Sequence, residues 1–161
     1  MFILLGALLI LFAPEQNSPE VPPQEQPITL LLAGDIMLNR GVEWQIKKNG
    51  GDWNWPFLKI APELQSADMV FANLESIISD KGIKVGSIYS FRANPEAVKG
   101  LSFAGLDVLS VANNHSFDYG REAFADSLLR LREAGIAYAG GGFTEKEARS
   151  PAIKEIRGTK I

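Results

Sequence analysis

Three short apolar runs set the architecture of this chain: residues 28–33 (ITLLLA), 69–72 (MVFA) and 107–112 (DVLSVA), with helix-patterned segments between them. Each is too short for a helix, and each breaks off into polar residues: Gly34-Asp35, Asn73-Leu74-Glu75 and Asn113-Asn114-His115. Strands that alternate with helices are joined by crossovers, and crossovers impose parallel pairing. Parallel strands covered on both faces read as continuous apolar runs, so 28–33 is expected to be buried on both sides. The fold class that follows is layered α/β.

The intervening segments fit that scheme. Residues 42–48 and 56–67 are helical candidates; in the second, Phe57, Ile60, Ala61 and Leu64 recur at helical spacing and Pro56 suits a first turn. Residues 77–92 read as a loop or hairpin turning at Lys81-Gly82, and 95–103 as a helix closed by Gly105. In the helix expected over 121–134, Phe124, Leu128 and Leu131 share one face. Arg130, Arg132 and Glu133 point to water, and Gly135 supplies the stop. Residues 136–139 form a fourth strand before Gly140-Gly141-Gly142. Residues 152–156 form a fifth, and Arg157-Gly158 turns into a sixth that has barely begun at Ile161. Domains rarely stop inside a strand, so residues 28–161 are expected to be the first half of a larger domain.

Residues 1–13 and 14–27 are different material. The first segment contains an unbroken apolar run over 2–13, shorter than the roughly 20 residues of a membrane span but of signal or anchor length. The second (PEQNSPEVPPQEQP) is rich in proline and cannot pack, so it reads as an extended tether. This order of parts predicts an extracytoplasmic, membrane-anchored or secreted protein. The chain has no cysteine and one histidine, which excludes disulfides, thiolate metal sites and an all-histidine metal cage. Sixteen basic residues against nineteen acidic ones give no attraction to nucleic acid.

Ligands of open α/β sheets bind beyond the carboxyl ends of the strands. There this chain places Asp35, then Asn73 and Glu75, then Asn113, Asn114, His115 and Asp118. Carboxylates, amide oxygens and one imidazole suit a divalent cation such as Mg²⁺, Mn²⁺ or Zn²⁺. Each residue also has a purely structural alternative: Asp35 as a helix cap, Asn73 and Glu75 as loop hydrogen-bonders, the asparagines as turn formers, His115 as a structural hydrogen-bonder. Asp118, three residues after His115, can accept the proton of one ring nitrogen and fix its tautomer. Beside a metal-bound hydroxide, such a histidine is a general acid for a leaving oxygen.

The blocks Gly34-Asp35-Ile36-Met37-Leu38, Ala67 through Glu75, Gly105 through Val108 leading to Ala112 through Gly120, and Ala134 through Gly142 resemble the CapA-type capsule and poly-γ-glutamate synthesis proteins. These belong to the calcineurin-like metallophosphoesterase superfamily. The resemblance implies a layered α/β/β/α sandwich and a dinuclear metal centre. It implies that Asp35 and Asn114 are metal ligands, that Asn73 falls where a bridging Asp is usual with Glu75 as a substitute, and that His115 aids leaving-group departure. Met37 stands where a ligand histidine is usual, and the later ligand histidines have no counterpart in this chain.

Two functions are therefore in play. One is a metallohydrolase-like protein of capsule synthesis, with Asp35, Asn73, Glu75 and Asn114 on metal and His115 and Asp118 as the acid pair. The other is a non-catalytic scaffold for the anionic polymer or its synthesis machinery, to which Met37 lends weight. Trp44, Trp53, Trp55 and Phe57 would give such a scaffold an aromatic surface, and Arg40, Lys47 and Lys48 would give it charge. A dinucleotide-type site has little support, because the Gly140–Gly142 run lacks the fingerprint spacing.

Overall fold

The computed structural model describes residues 26–161; the apolar run over 2–13 and most of the proline-rich stretch lie outside the described residues. The central sheet has four parallel strands, β1 (Leu30–Ile36), β2 (Met69–Leu74), β5 (Val108–Ser110) and β6 (Ala137–Ala139), side by side in that order. Their connections contain α1 (Gly41–Lys48) and α2 (Ala61–Leu64), then α3 (Ala97–Ala104), then α4 (Gly120–Glu133). The expected mixed α/β class with a parallel sheet is what the chain adopts. Gly105 ends α3 at φ 80°, a left-handed conformation that costs glycine little.

One face of the sheet makes the core. Val70, Ala72, Leu74, Leu109 and Val111 pack with Leu101 and Ala104 of α3 and with Leu128 and Leu131 of α4. The other face differs from expectation. β1 is an edge strand, and Leu32 is 73% exposed, so residues 28–33 are not buried on both faces. A continuous apolar run reports that a strand is apolar; it does not report what covers its second side.

Other departures have local causes. The helix expected over 56–67 is a 3₁₀ turn at Trp55–Phe57 followed by α2. Pro62 has no N–H to return to Leu58, so one continuous helix cannot form. Phe57 is buried and Trp53 half-buried against the core, which leaves Trp44 and Trp55 as the exposed tryptophans of the expected aromatic surface. Within 77–92, β3 (Ile77–Ile78) pairs in parallel with β4 (Arg92–Ala93), so the segment is a crossover loop and not a hairpin. Residues 152–161 add no strand to the central sheet. They form a separate antiparallel pair, β7 (Glu155–Ile156) and β8 (Thr159–Lys160), across a two-residue turn. Arg157 and Gly158 both have positive φ there (48° and 78°), as a tight hairpin turn of primed type requires. The short helix α5 (Glu145–Ala148) lies between β6 and this hairpin, capped by the Thr144 side chain.

Arg130 does not point to water. Its guanidinium meets Asp126 at 2.8 Å and Asp80 at 2.9 Å, and Asp126 also takes bonds from Ser79 (2.7 Å) and Lys81 (3.0 Å). Burial alone would raise the Asp126 carboxyl. The bonds from Ser79, Arg130 and Lys81 outweigh it and hold the group below the ordinary carboxylate range. This network ties the start of the 79–91 loop to α4.

Candidate functional site

Asp35 reaches the site through an irregularity in β1. Leu32 pairs with Phe71 but Asp35 pairs with Asn73, so β1 spends three residues where β2 spends two. Without that bulge Gly34 would lie opposite Asn73. With it, the carboxylate of Asp35 sits beside the Asn73 amide. α1 starts only at Gly41, with Arg40 in the cap position and no side-chain cap, so Asp35 caps no helix.

The Asn73 Nδ2 group donates to Asp35 Oδ1 at 2.8 Å and to Glu75 Oε2 at 2.9 Å. One –NH₂ thus bridges two carboxylates. The Asn73 carbonyl accepts from Asn113 Nδ2 at 3.1 Å, and Asn113 donates as well to Leu74 O at 2.9 Å. Asn113 Oδ1 accepts the His115 backbone N–H at 2.8 Å, so this residue forms a turn and joins the site at once.

His115 is set between two acids. Its Nδ1 lies 2.7 Å from Asp118 Oδ2 and its Nε2 lies 3.4 Å from Glu75 Oε1. The three side chains are 13%, 10% and 17% exposed, dry enough for charge interactions to matter yet open to a ligand. Asp118 Oδ2 also accepts the Phe91 N–H at 2.7 Å, and the Phe91 ring lies on the imidazole with centroids 4.1 Å apart. The ring is therefore fixed by one carboxylate at its edge and one aromatic on its face.

The structure brings together Asp35, Asn73, Glu75, His115 and Asp118 from the sequence-expected set. Asn114 lies exposed on the same turn and makes no side-chain hydrogen bond among the described residues, while its neighbour Asn113 enters the network. Two further residues carry no sequence signal as site members. The buried Ser116 hydroxyl lies 2.6 Å from Val111 O and 2.8 Å from Asn113 O and accepts the Asn113 N–H at 3.1 Å, which sets the turn. Phe91 arrives from the far end of the crossover loop.

Arg40 adds a cation nearby, its guanidinium carbon 5.7 Å from the Phe91 ring centre, with φ at 53°. Of the other expected cations, Lys47 pairs with Glu43 at 2.8 Å and Lys48 lies over Trp44.

Among the described residues no three His, Asp or Glu side chains are gathered as a metal cage. The donor chemistry is narrower than a dinuclear centre. Asp35 and Glu75 converge on one point, now held by the Asn73 –NH₂, and a half-turn of that amide would present its oxygen there instead, at the cost of the bond that oxygen accepts from Asn113. Two carboxylates and an amide oxygen fit a single hard divalent cation; they do not supply a second set.

Residues 29–161 match the family model for bacterial capsule synthesis protein. Over 166 residues the chain is 29% identical to the capsule biosynthesis protein CapA of Bacillus anthracis, covering 98% of this chain and 40% of that protein. It is 26% identical to the PGA biosynthesis protein CapA of Bacillus subtilis, covering all of this chain and 42% of that protein. A relative from Mycobacterium tuberculosis, named a probable polyglutamine synthesis accessory protein, is 28% identical over 80% of this chain and 42% of its own length. The chain spans about two-fifths of the length of these relatives.

Proposed function

Because the chain belongs to the bacterial capsule synthesis protein family, we propose that it carries the acid-catalytic half of a metal-assisted hydrolytic site acting in capsule or poly-γ-glutamate production at the cell envelope. The observation that carries this reading is the pairing of His115 Nδ1 with Asp118 at 2.7 Å, which leaves Nε2 as the nitrogen facing Glu75 and the open site. Asp118 accepts the Nδ1 proton and holds the tautomer. In the doubly protonated ring Nε2–H is then the group that gives its proton to a leaving oxygen, leaving the neutral Nδ1–H tautomer on Asp118, and Phe91 keeps the ring from turning away.

Asp35, Glu75 and the Asn73 oxygen would hold one Mg²⁺, Mn²⁺ or Zn²⁺, with the exposed Asn114 amide available as an outer ligand. Such an ion, when bound, supplies Lewis-acid polarisation and neutralises charge developing at the bond being cleaved. The apolar run at 2–13 and the tether that follows support an extracytoplasmic, membrane-anchored placement. No helix among the described residues is long and apolar enough to cross a membrane.

One observation favours a second reading, a scaffold for the anionic polymer or its synthesis machinery. The Asn73 –NH₂ satisfies both carboxylates without any ion. The experiment that separates the two uses the full-length protein with γ-linked glutamate oligomers and an activated phosphodiester, in Mn²⁺ and in EDTA. The catalytic reading expects metal-dependent turnover that His115→Ala lowers at least 100-fold while the melting curve stays in place. Turnover equal in both metal conditions, or unchanged by His115→Ala, refutes it.

A further inference from the structure

A cavity of 540 Å³ opens on the other side of the His115 turn, between the end of β5, the start of α4 and the glycine run after β6. Asn113 and Ser116 belong both to its wall and to the turn that positions His115. Its sides are aromatic. Phe117, 51% exposed, packs on Phe124 with ring centres 4.8 Å apart, and the exposed Phe143 stands in the same lining. Gly141 lies tight against the floor: a Cβ there would come within 2.7 Å of both Phe124 and Val111.

The charged residues of the lining are Arg121 and Glu145. Arg121, the second residue of α4, is exposed, its guanidinium carbon 5.9 Å from the Phe117 ring centre, and it has no carboxylate partner among the described residues. The acid of the lining is already engaged, and so is Glu147 on the same short helix. Glu145 pairs with Arg149 at 2.9 Å, and Glu147 accepts the Phe143 N–H at 2.8 Å. An apolar trough with the Arg121 guanidinium at its edge suits a ligand that sets a carboxylate beside a short run of methylenes, since Arg presents a planar fork that matches two oxygens.

We propose that this cavity is a subsite for one acidic residue of a glutamate-type polymer, its methylenes against Phe117 and Phe143 and its carboxylate on Arg121. The shared wall then leads the adjoining linkage to His115. The assignment rests on the reading that the His115 site serves an anionic capsule polymer, and it names the residue that would select for that polymer's charge.

The test is calorimetric titration of a γ-linked glutamate trimer, its α-carboxamide (γ-linked isoglutamine) analogue and inorganic phosphate into the chain and its variants at low salt. The glutamate trimer should bind, and the carboxamide analogue at least 10-fold more weakly. Arg121→Gln should weaken the glutamate trimer by about 10-fold, as loss of a charged hydrogen-bond partner does, while Arg121→Lys, which keeps the charge and loses the fork, weakens it by less than Arg121→Gln. Arg121 is exposed, so unchanged circular dichroism and melting curves confirm that the variants fold. If the trimer binds but Arg121→Gln binds it as tightly, the subsite is wrong and the polymer reading stands. If the trimer fails to bind and phosphate binds through Arg121, or if neither binds, both the subsite and the polymer reading fall.

Discussion

Replacing Asn73 by Asp tests the geometry of the site directly. The variant removes the –NH₂ that donates to Asp35 at 2.8 Å and Glu75 at 2.9 Å and puts a third carboxylate in its place. Two hydrogen bonds to charged groups are lost, each worth about 1.5–3 kcal/mol net. Like charges about 4 Å apart add roughly 1–4 kcal/mol per pair, depending on how wet the site is. The repulsion is capped, because one carboxyl can take up a proton instead, its single O–H restoring one of the two lost bonds. From an ordinary value near 4, that costs about 1.4 kcal/mol for each pH unit, hence about 4 kcal/mol at pH 7. In EDTA at pH 7 the variant should lose about 5–7 kcal/mol, a fall in Tm of roughly 10–25 °C for a domain of this size. At pH 5 the cap drops to about 1.4 kcal/mol and about 2.7 kcal/mol of the loss should disappear. Mn²⁺ at 100 times its Kd should restore about 2.7 kcal/mol. Scanning calorimetry across these conditions decides the matter. A variant that melts with the parent in EDTA, or whose deficit is the same at pH 5 and pH 7, would refute the claim that one amide bridges these two acids.

Three further outcomes are expected. Asp118→Asn keeps an acceptor for His115 Nδ1 but removes the charge, and should cut turnover of the full-length protein by about 10²–10⁴-fold, read as a fall in kcat at unchanged KM. Because Asp126 is held below the ordinary carboxylate value in the folded state, its contribution to stability is complete above about pH 4 and lost as pH falls through the folded value. Asp126→Asn should therefore cost about 2 kcal/mol at pH 7 and flatten the acid limb of the stability curve, measured by urea titration from pH 2 to 7. Leu109→Ala, at the fully buried centre of the sheet, should cost about 3 kcal/mol, whereas Leu32→Ala on the open face should stay within about 0.5 kcal/mol, both read as shifts in urea midpoint.

The four central strands were legible because burial on the core face demands an apolar run, and each run ends where the chain must leave the sheet. The edge position of β1 was not legible, since Leu30 and Leu32 are as apolar as residues packed on two sides. Long-range charge pairing was equally hidden. Arg130 sits at a helical position that reads as solvent-facing, and its partner Asp80 is fifty residues away on a loop with no periodicity. At the site, Asp35, Glu75, His115 and Asp118 follow from where the strands end. The choice between Asn113 and Asn114 does not, because adjacent asparagines have the same propensities. The buried Ser116 hydroxyl, by fixing the carbonyls of Val111 and Asn113, decides which of the two turns inward.

Asn73 is where the two functional readings divide. For a catalytic site to take up one ion, its amide must turn, giving up two donated hydrogen bonds to carboxylates and the bond its oxygen accepts from Asn113 for one oxygen on the metal. That exchange weakens binding by the strength of the bonds given up, so a resident ion has to be hard and present in excess. In a scaffold the same –NH₂ replaces the ion, holding Asp35, Glu75 and through Asn113 the His115 turn in register with no metal at all. Asn73→Ser removes the bridge without adding charge, and the readings predict opposite consequences for it. If the amide only stands in for an ion, the variant loses stability and Mn²⁺ or Mg²⁺ recovers it, because the two acids then lack any other partner. If Asn73 oxygen is itself a ligand, the variant binds metal more weakly than the parent, and titration calorimetry of Mn²⁺ into the two proteins gives the sign.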